Sequence, residues 1–490
     1  MTEPGSVAAG PTVTAAGGVE QNGINVIAES ERKGAPRDLF WPWCAANISV
    51  LGIGYGTYIL GFGVSFAQAL VAGLVGIVVS FLLVGLVSLS GKRGSAPTMI
   101  TSRAAFGVRG NSLPAAVSYL LLVGWETVLC ALATLATATV FGRLGWGDGN
   151  LTKVLAFLVV AAVIVFAGVF GFDVIMRLQT ILTVALAVLT VGYVVLTLDH
   201  VEWSTVSAIP NGSTQTFVGA LVFVMTGFGL GWVNSGGDYS RYLPREASSR
   251  GVVAWTTVGA SIAPLVLVLY GLLLAGSDPE LAKAIGSDPV GGLTTILPTW
   301  YLVPFALVAI GGLIGGAVLD IYSSGLALLT LGLKVPRWTA AGIDGVIMVL
   351  GTVYFVWVAD SFFFPFQGFL ITLGVPIAAW CGIFLADLFL RRRDYAEAEL
   401  FEPRGRYGAV NAPAVATMVV ATVVGWGLVT NTYAGWLGWQ GYLLEPLGLG
   451  SKADGAWAFA NVGVLVAIVL GAAGYAALSS AAVRRQEQTA

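Results

Sequence analysis

Twelve apolar runs, each close to the length that crosses a bilayer, constrain this chain more than any other feature. A helix needs roughly 20 apolar residues to span the hydrocarbon core. Such runs begin near residues 38, 66, 111, 152, 176, 215, 252, 297, 342, 363, 411 and 457. Inside a membrane every backbone N–H and C=O must be satisfied within the protein, which for apolar runs of this length means helices. The fold expected is therefore all-α and integral to a membrane. The 490 residues are 57% hydrophobic and 10% charged, against about 25% charged in soluble domains, so a soluble multidomain enzyme is excluded.

The basic residues orient the runs. With the N-terminus in the cytoplasm, the inside segments carry twenty of the 24 lysines and arginines, and the outside segments only Arg143, Lys153, Lys283 and Lys452. That asymmetry follows the positive-inside rule; one span more or fewer would scramble it. The expected location is the cytoplasmic membrane, multi-pass, with both termini inside. Residues 1–31 are small, polar and glycine-rich and read as a disordered cytoplasmic tail. Cys44, Cys130 and Cys381 all fall inside apolar runs, far apart, and His200 is the single histidine; neither a disulfide framework nor a metal cluster is expected.

Runs 1 and 6 differ from the rest. Run 1 reads NISVLGIGYGTYILGFG, with Gly52, Gly54 and Gly56; run 6 reads VMTGFGLGWVNSGG, with Gly227, Gly229 and Gly231. Small residues of this kind ordinarily let membrane helices pack closely. Here, however, the two runs are the first members of two successive five-helix sets, the arrangement in which paired interrupted helices point to an inverted repeat with a midplane binding site. The third members, runs 3 and 8, are both long. The organisation expected is a first repeat over 32–200, a second over 201–395, two peripheral helices over 396–484 and a tail at 485–490.

Few polar residues lie at depth. Trp125 and Glu126, in LLVGWETVLC, sit near the middle of run 3. An indole face beside a polar group suits a planar ligand, and an acid at that depth costs a few kcal/mol unless it is paired or protonated. Glu126 is thus a candidate proton carrier, the alternative being a neutral acid bonded to a neighbouring helix. Asp320, in GGLIGGAVLDIYSSG of run 8, is a second intramembrane acid, for which a gate or capping role competes with proton coupling. Run 6 contributes Phe228, Trp232 and Asn234. The charged segment that follows, GGDYSRYLPRE, reads as an inside anchor or gate latch: Asp238 and Arg241 are spaced to pair on one helical face, and Pro244 stops the helix. No phosphate-binding loop, nucleophile elbow or metalloprotease motif is present.

Two stretches, SRAAFGVRGNSLPAAVSYLLLVGWETV and GGDYSRYLPRE, resemble the purine-cytosine permease branch of the nucleobase:cation symporter-1 family, with similarity from about residue 32 to 485. The resemblance implies a leucine-transporter-like fold, with 12 transmembrane helices as a 5+5 inverted repeat plus two peripheral helices. It implies a ring stacked on Trp125, faced from span 6 by Phe228 or Gly229, and bonded at its edges by the unwound backbone of Ser49, Leu51 and Gly52; Trp232 is a further contact candidate. It maps the family's sodium site near Ala46 and Ser49, with span-8 positions at Gly312, Gly315 and Gly316. These glycines carry no oxygen ligand, so proton coupling through Glu126 or Asp320 is favoured over sodium, and no cofactor or metal is expected.

The function expected is import of a planar nucleobase-type ring (cytosine, a purine or a relative) by cation-coupled alternating access. Sodium-coupled uptake of allantoin, a hydantoin or a vitamin ring is the alternative, and a passive channel a remote one. A membrane enzyme would need a catalytic constellation that these residues do not supply. The partners expected are a small heterocycle and the lipid bilayer, with no nucleic acid and a monomeric assembly.

Overall fold

A computed structural model describes residues 20, 22–359, 363–432 and 435–488, excluding the side chains of residues 287 and 363–365. Ten described helices are long and apolar enough to cross a membrane, and a bent pair makes eleven. Span 1 is that pair, Pro36–Asn47 and Val50–Leu60, bent by 64°. Spans 2 to 9 are Phe66–Gly94, Ser112–Arg143, Asn150–Phe170, Phe172–His200, Thr214–Ser240, Ser249–Ser277, Thr299–Thr330 and Arg337–Trp357. Span 10 is Phe363–Leu390, and the last helix is Gly463–Gln488. The run expected from residue 411 forms only a 15-residue helix, Ala412–Trp426, so the expected count of twelve full spans is not reached. The run expected from 457 begins at Gly463 instead, because Ala458–Ala460 is a separate short turn ended by Asn461 in the left-handed region.

Local sequence sets several boundaries. Span 2 opens on a reciprocal cap in which Ser65 Oγ accepts from the Gln68 N–H and the Gln68 carboxamide accepts from the Ser65 N–H, satisfying donors a helix start leaves free. Between spans 7 and 8 the repeated Ser-Asp-Pro starts two short helices, with Asp278 and Asp288 accepting from the first-turn N–H groups and Pro279 and Pro289 in the first turn, where a missing N–H costs nothing.

The glycines of span 1 do not unwind it. The break falls at Ile48–Ser49, and Val50–Leu60, which holds Gly52, Gly54 and Gly56, is helical. A Cβ on Gly56 would overlap the backbone of Gly271 and Leu272 in span 7. These glycines let two helices touch, the ordinary role of small residues in a bundle. Span 6 breaks where expected: the helix stops at Gly227, and Phe228 adopts φ −114°, ψ −104° before a short turn resumes at Gly229.

Spans 3 and 8 approach each other at Gly316 of span 8. A Cβ on Gly316 would come within 2.9 Å of Leu129. On the side of the bundle carrying the described N-terminal residues, called here the tail face, Arg391 holds span 10 to the last helix: it donates to both oxygens of Asp387 at 2.8 Å and to Gln486, while the Tyr475 hydroxyl donates to Asp387 at 2.6 Å.

Residues 22–31, expected to be disordered, are instead docked on the tail face. Ile27 is buried, its N–H donates to the Ser95 carbonyl at 2.8 Å, and Arg32 donates to the carbonyls of Leu243 and Lys92. An apolar side chain and a buried guanidinium offset the chain entropy that composition alone assigns to this stretch.

Candidate functional site

The two backbone breaks frame the middle of the bundle. At the span-1 break Ser49 is extended, and its hydroxyl accepts from the Leu51 N–H at 3.3 Å, starting the second half-helix. At the span-6 break the Gly229 N–H donates to Ser80 Oγ at 3.1 Å, and the Gly227 carbonyl accepts from the Tyr55 hydroxyl at 3.2 Å.

Trp125 lies beside the span-6 turn. A Cβ on Gly231 would approach its indole nitrogen to 2.9 Å, so the glycine lets the span-6 backbone pack against the indole edge. On the other side the indole meets Phe366 and Phe369 of span 10 edge to face, at ring-centroid distances of 5.3 and 6.3 Å. Gly124 makes room for the second of these, since a side chain there would overlap the Phe369 ring. The Trp125 indole N–H is buried with no hydrogen-bond partner, and a buried donor left unpaired costs about 1–3 kcal/mol. Asn234 Oδ1 and Gln367 Oε1 are likewise buried and unpartnered, although the Asn234 amide donates to Ser118 Oγ at 2.8 Å. An aromatic face with unpaired donors and acceptors at mid-depth matches the needs of a flat ring with polar edges.

The expected ligand contacts divide. Trp125, Ser49 and Phe228 sit at the breaks or against them. The Phe228 ring, however, packs on Tyr55 at 4.5 Å and Phe81 at 6.3 Å. Gly229 is closed off by the backbone of Ser80, and Gly52 by Leu267 of span 7. Trp232 packs edge-on against Trp43 at 5.7 Å, and Leu51 is buried in the apolar core. The span-6 residue that meets Trp125 is Gly231. The sequence marked Gly231 only as one of three glycines interrupting span 6, not as a neighbour of Trp125, and the span-10 phenylalanines were not singled out.

The mapped cation site is filled by packing. A Cβ on Gly312 would overlap the Ile48 carbonyl, and one on Gly315 would sit 3.1 Å from the Ala45 carbonyl oxygen. Gly316 faces the Ala46 carbonyl at 3.4 Å by the same measure. Span 8 presses its backbone onto span 1 where side-chain oxygens would have to stand, and sodium requires several oxygens. These residues do not fit a sodium ion.

The two predicted acids are buried: Glu126 is 0% and Asp320 1% exposed, and all four of their carboxylate oxygens lack hydrogen-bond partners. They have a neighbour the sequence reading passed over, Asp344 of span 9, also 0% exposed.

Asp238 and Arg241 do not form the predicted pair. Asp238 Oδ1 accepts from both the N–H and the hydroxyl of Thr98 at 2.8 Å. Arg241 turns to Glu20, at 3.5 Å, and donates to the Gly23 carbonyl and the Tyr322 hydroxyl. Gly236–Ser240 is a helical turn capped by Arg241, so the spacing is as expected, but Thr98 draws Asp238 to one side while Glu20 and Tyr322 draw Arg241 to the other. Glu20 also lies 3.4 Å from Arg337 Nε, and accepts from the Tyr242 and Tyr322 hydroxyls and the Phe172 N–H. One carboxylate thus ties spans 6, 8 and 9 and the span 4–5 link across the tail face. At the opposite end a cavity of about 760 Å³ opens between the far half of span 3 (Leu132–Arg143), the Asp288–Val290 turn and Phe355–Ala359.

The sequence profile for the permeases of cytosine/purines, uracil, thiamine and allantoin matches residues 26–437. A putative purine-cytosine permease, YxlA of Bacillus subtilis, is 27% identical over 80% of this chain and 84% of its own length. The purine-cytosine permease FCY2 of Saccharomyces cerevisiae is 23% identical over 91% of this chain and 85% of its own. Among solved structures, the nucleobase-cation-symport-1 family transporter Mhp1, in a closed conformation with bromovinylhydantoin bound, superposes with a TM-score of 0.69 at 19% identity, covering 96% of this chain and 99% of that one. With the broken first and sixth spans this places the fold among leucine-transporter-like transporters, and the chain belongs to the permease family for cytosine/purines, uracil, thiamine and allantoin.

Proposed function

We propose that the protein is a secondary active transporter that imports a planar nucleobase-type heterocycle together with protons. The observation that carries this reading is the Trp125 indole, held between span 10 and Gly231 beside the span-6 break, with its N–H buried and unpaired. A ring stacked on the indole gains roughly 1–3 kcal/mol, and its edge groups satisfy atoms that otherwise stay unpaired. The likeness to purine-cytosine permeases supports a nucleobase-type cargo.

The tail face is read as cytoplasmic because the chain's basic residues gather there. In this conformation it is closed by Glu20, while the cavity lies at the outer end. Rocking of one bundle against the other then exposes the midplane to each side in turn. The membrane is the cytoplasmic membrane, the transporter is monomeric, and the coupling ion is H⁺, carried by Glu126 or Asp320, since the span-8 glycines bring no side-chain oxygen to a sodium ion.

A competition panel of cytosine, adenine, hypoxanthine, uracil, allantoin and pyridoxine, run with and without sodium, tests both cargo and ion. Accumulation that collapses with an uncoupler and ignores sodium supports the reading. Substrate-dependent proton uptake that persists in the E126Q/D320N double variant removes these acids as carriers.

A further inference from the structure

We propose that Asp344, with Ser324 and Tyr119 beside it, is the tail-side station of a proton relay whose mid-membrane station is Glu126. This rests on the proton-symport reading above.

Span 9 is a peripheral helix whose Ile343, Val346, Ile347 and Leu350 face outward, while Arg337, Ala341, Asp344, Gly345 and Met348 form its buried stripe. An acid on that stripe, in the hydrocarbon zone, costs a few kcal/mol without a partner, and function commonly accounts for its presence. The Ser324 hydroxyl of span 8 donates to Asp344 Oδ2 at 3.0 Å, and Ser324 is also a near polar neighbour of Glu126. Tyr119 of span 3 lies beside Asp344 and is half-buried. Asp344 Oδ1, both Glu126 oxygens and both Asp320 oxygens are buried without hydrogen-bond partners. A donor-poor interior holds such carboxyls as neutral acids or with shared protons.

The charged and titratable groups around Asp344 are few. Span 3 presents Glu126 and Tyr119, with Cys130 one turn beyond Glu126, and span 8 presents Ser324 and Asp320. Span 4 presents Val165 against Gly345. The cation on span 9's own buried face, Arg337, is committed to the Gly168 and Val169 carbonyls and to Glu20. Among the described residues, no three His, Cys, Asp or Glu side chains converge closely enough to hold a metal ion.

The helices grade the stations in depth. At 1.5 Å per residue, Glu126 lies about 21 Å along span 3 from its tail-side end, and Asp344 about 10 Å along span 9 from its own. Once the Glu126 side chain closes on Ser324 Oγ, its proton passes to that oxygen as the Ser324 proton passes to Asp344 Oδ2. Glu126 becomes the carboxylate, Asp344 the acid, and the serine is unchanged. Asp344 then releases the proton past Tyr119 to cytoplasmic water.

The competing role for Asp344 is a staple between spans 8 and 9, and Asp344→Asn separates the two, because the asparagine Oδ1 still accepts from Ser324 but cannot carry a proton. In the full-length protein, infrared titration of the carboxyl bands needs no substrate. D344N is expected to shift the pH midpoint of the Glu126 band, identified by its loss in E126Q; midpoints that stay independent overturn the relay. In proteoliposomes with cytosine as the probe, D344N is expected to keep cytosine exchange while proton-driven accumulation falls on the order of 10²-fold. S324A, a smaller change, is expected to impair accumulation in the same way. Wild-type accumulation by D344N refutes the relay. Wild-type protein that accumulates cytosine equally well without a proton gradient refutes proton symport itself, and the infrared result still decides whether the two acids exchange a proton.

Discussion

Replacing Glu20 by glutamine is expected to open the tail face. The carboxylate sits 3.5 Å from Arg241 and 3.4 Å from Arg337, two guanidiniums whose side chains are 0% exposed, and is itself only 10% exposed. At an effective dielectric constant of about 20, each contact is worth roughly 5 kcal/mol before desolvation. Removing one partner of a buried pair costs about 3–5 kcal/mol in practice. Glutamine keeps the shape and one acceptor, so the lower figure applies. If the contact exists only when the tail face is closed, about 3 kcal/mol raises the open-to-closed ratio on the order of 10²-fold. The assay is thiol modification at Ala327→Cys, a buried span-8 position on the tail side of Tyr322, in a background with Cys44, Cys130 and Cys381 replaced. E20Q is expected to speed labelling by about the same factor while the melting temperature stays near that of the parent. An unchanged labelling rate would refute the argument that Glu20 holds this face shut. A faster rate with a matching loss of stability would assign Glu20 to folding instead.

Four further outcomes are expected. Trp125→Ala should weaken binding of the best heterocycle by about 1–3 kcal/mol, seen as a KM higher by about 5- to 150-fold, with Trp125→Phe intermediate; equal affinity in all three would remove the indole from the site. Gly56→Ala should lower thermal stability by about 1–3 kcal/mol, because its methyl group would overlap the Gly271 backbone; a wild-type melting curve contradicts that packing. Gly312→Ser should not create sodium-dependent uptake, since its Cβ would already meet the Ile48 carbonyl, and sodium-stimulated transport in this variant would overturn the packing argument. The Arg245 guanidinium, hydrogen-bonded at 2.5 Å, holds the Glu29 carboxyl below its usual 4.5. A depressed carboxylate stabilises above the unfolded value and loses that contribution as pH falls through the folded one. E29Q should therefore loosen residues 22–31 at neutral pH, measured by limited proteolysis, and the difference from wild type should vanish well below pH 4.5.

Sequence alone determined the membrane class and the break in span 6, and it marked Trp125 and Glu126 as polar or aromatic residues midway along a span, because these follow from local quantities. Apolar length marks candidate spans, charge placement gives an expected orientation, and an acid midway along an apolar run marks itself. The same local reading misplaced the span-1 break. A glycine signals backbone freedom and close packing with one letter, and only the position of span 7 shows that Gly52 and Gly56 serve packing while the chain breaks at Ile48–Ser49. It overcounted at the C-terminal end too, where the apolar run from 411 yields a helix of 15 residues. Tertiary structure decided which residues meet across the bundle: Gly231 against Trp125, Glu20 between Arg241 and Arg337, and Asp344 beside Ser324. Asp344 and Glu20 were invisible beforehand for a physical reason. Asp344 stands at the start of the apolar run expected from 342, where sequence does not separate the end of a span from a loop, and Glu20 stands in a glycine-rich tail; burial against Ser324 and Glu126 in one case, and against Arg241, Tyr242 and Tyr322 in the other, is what makes each of them consequential.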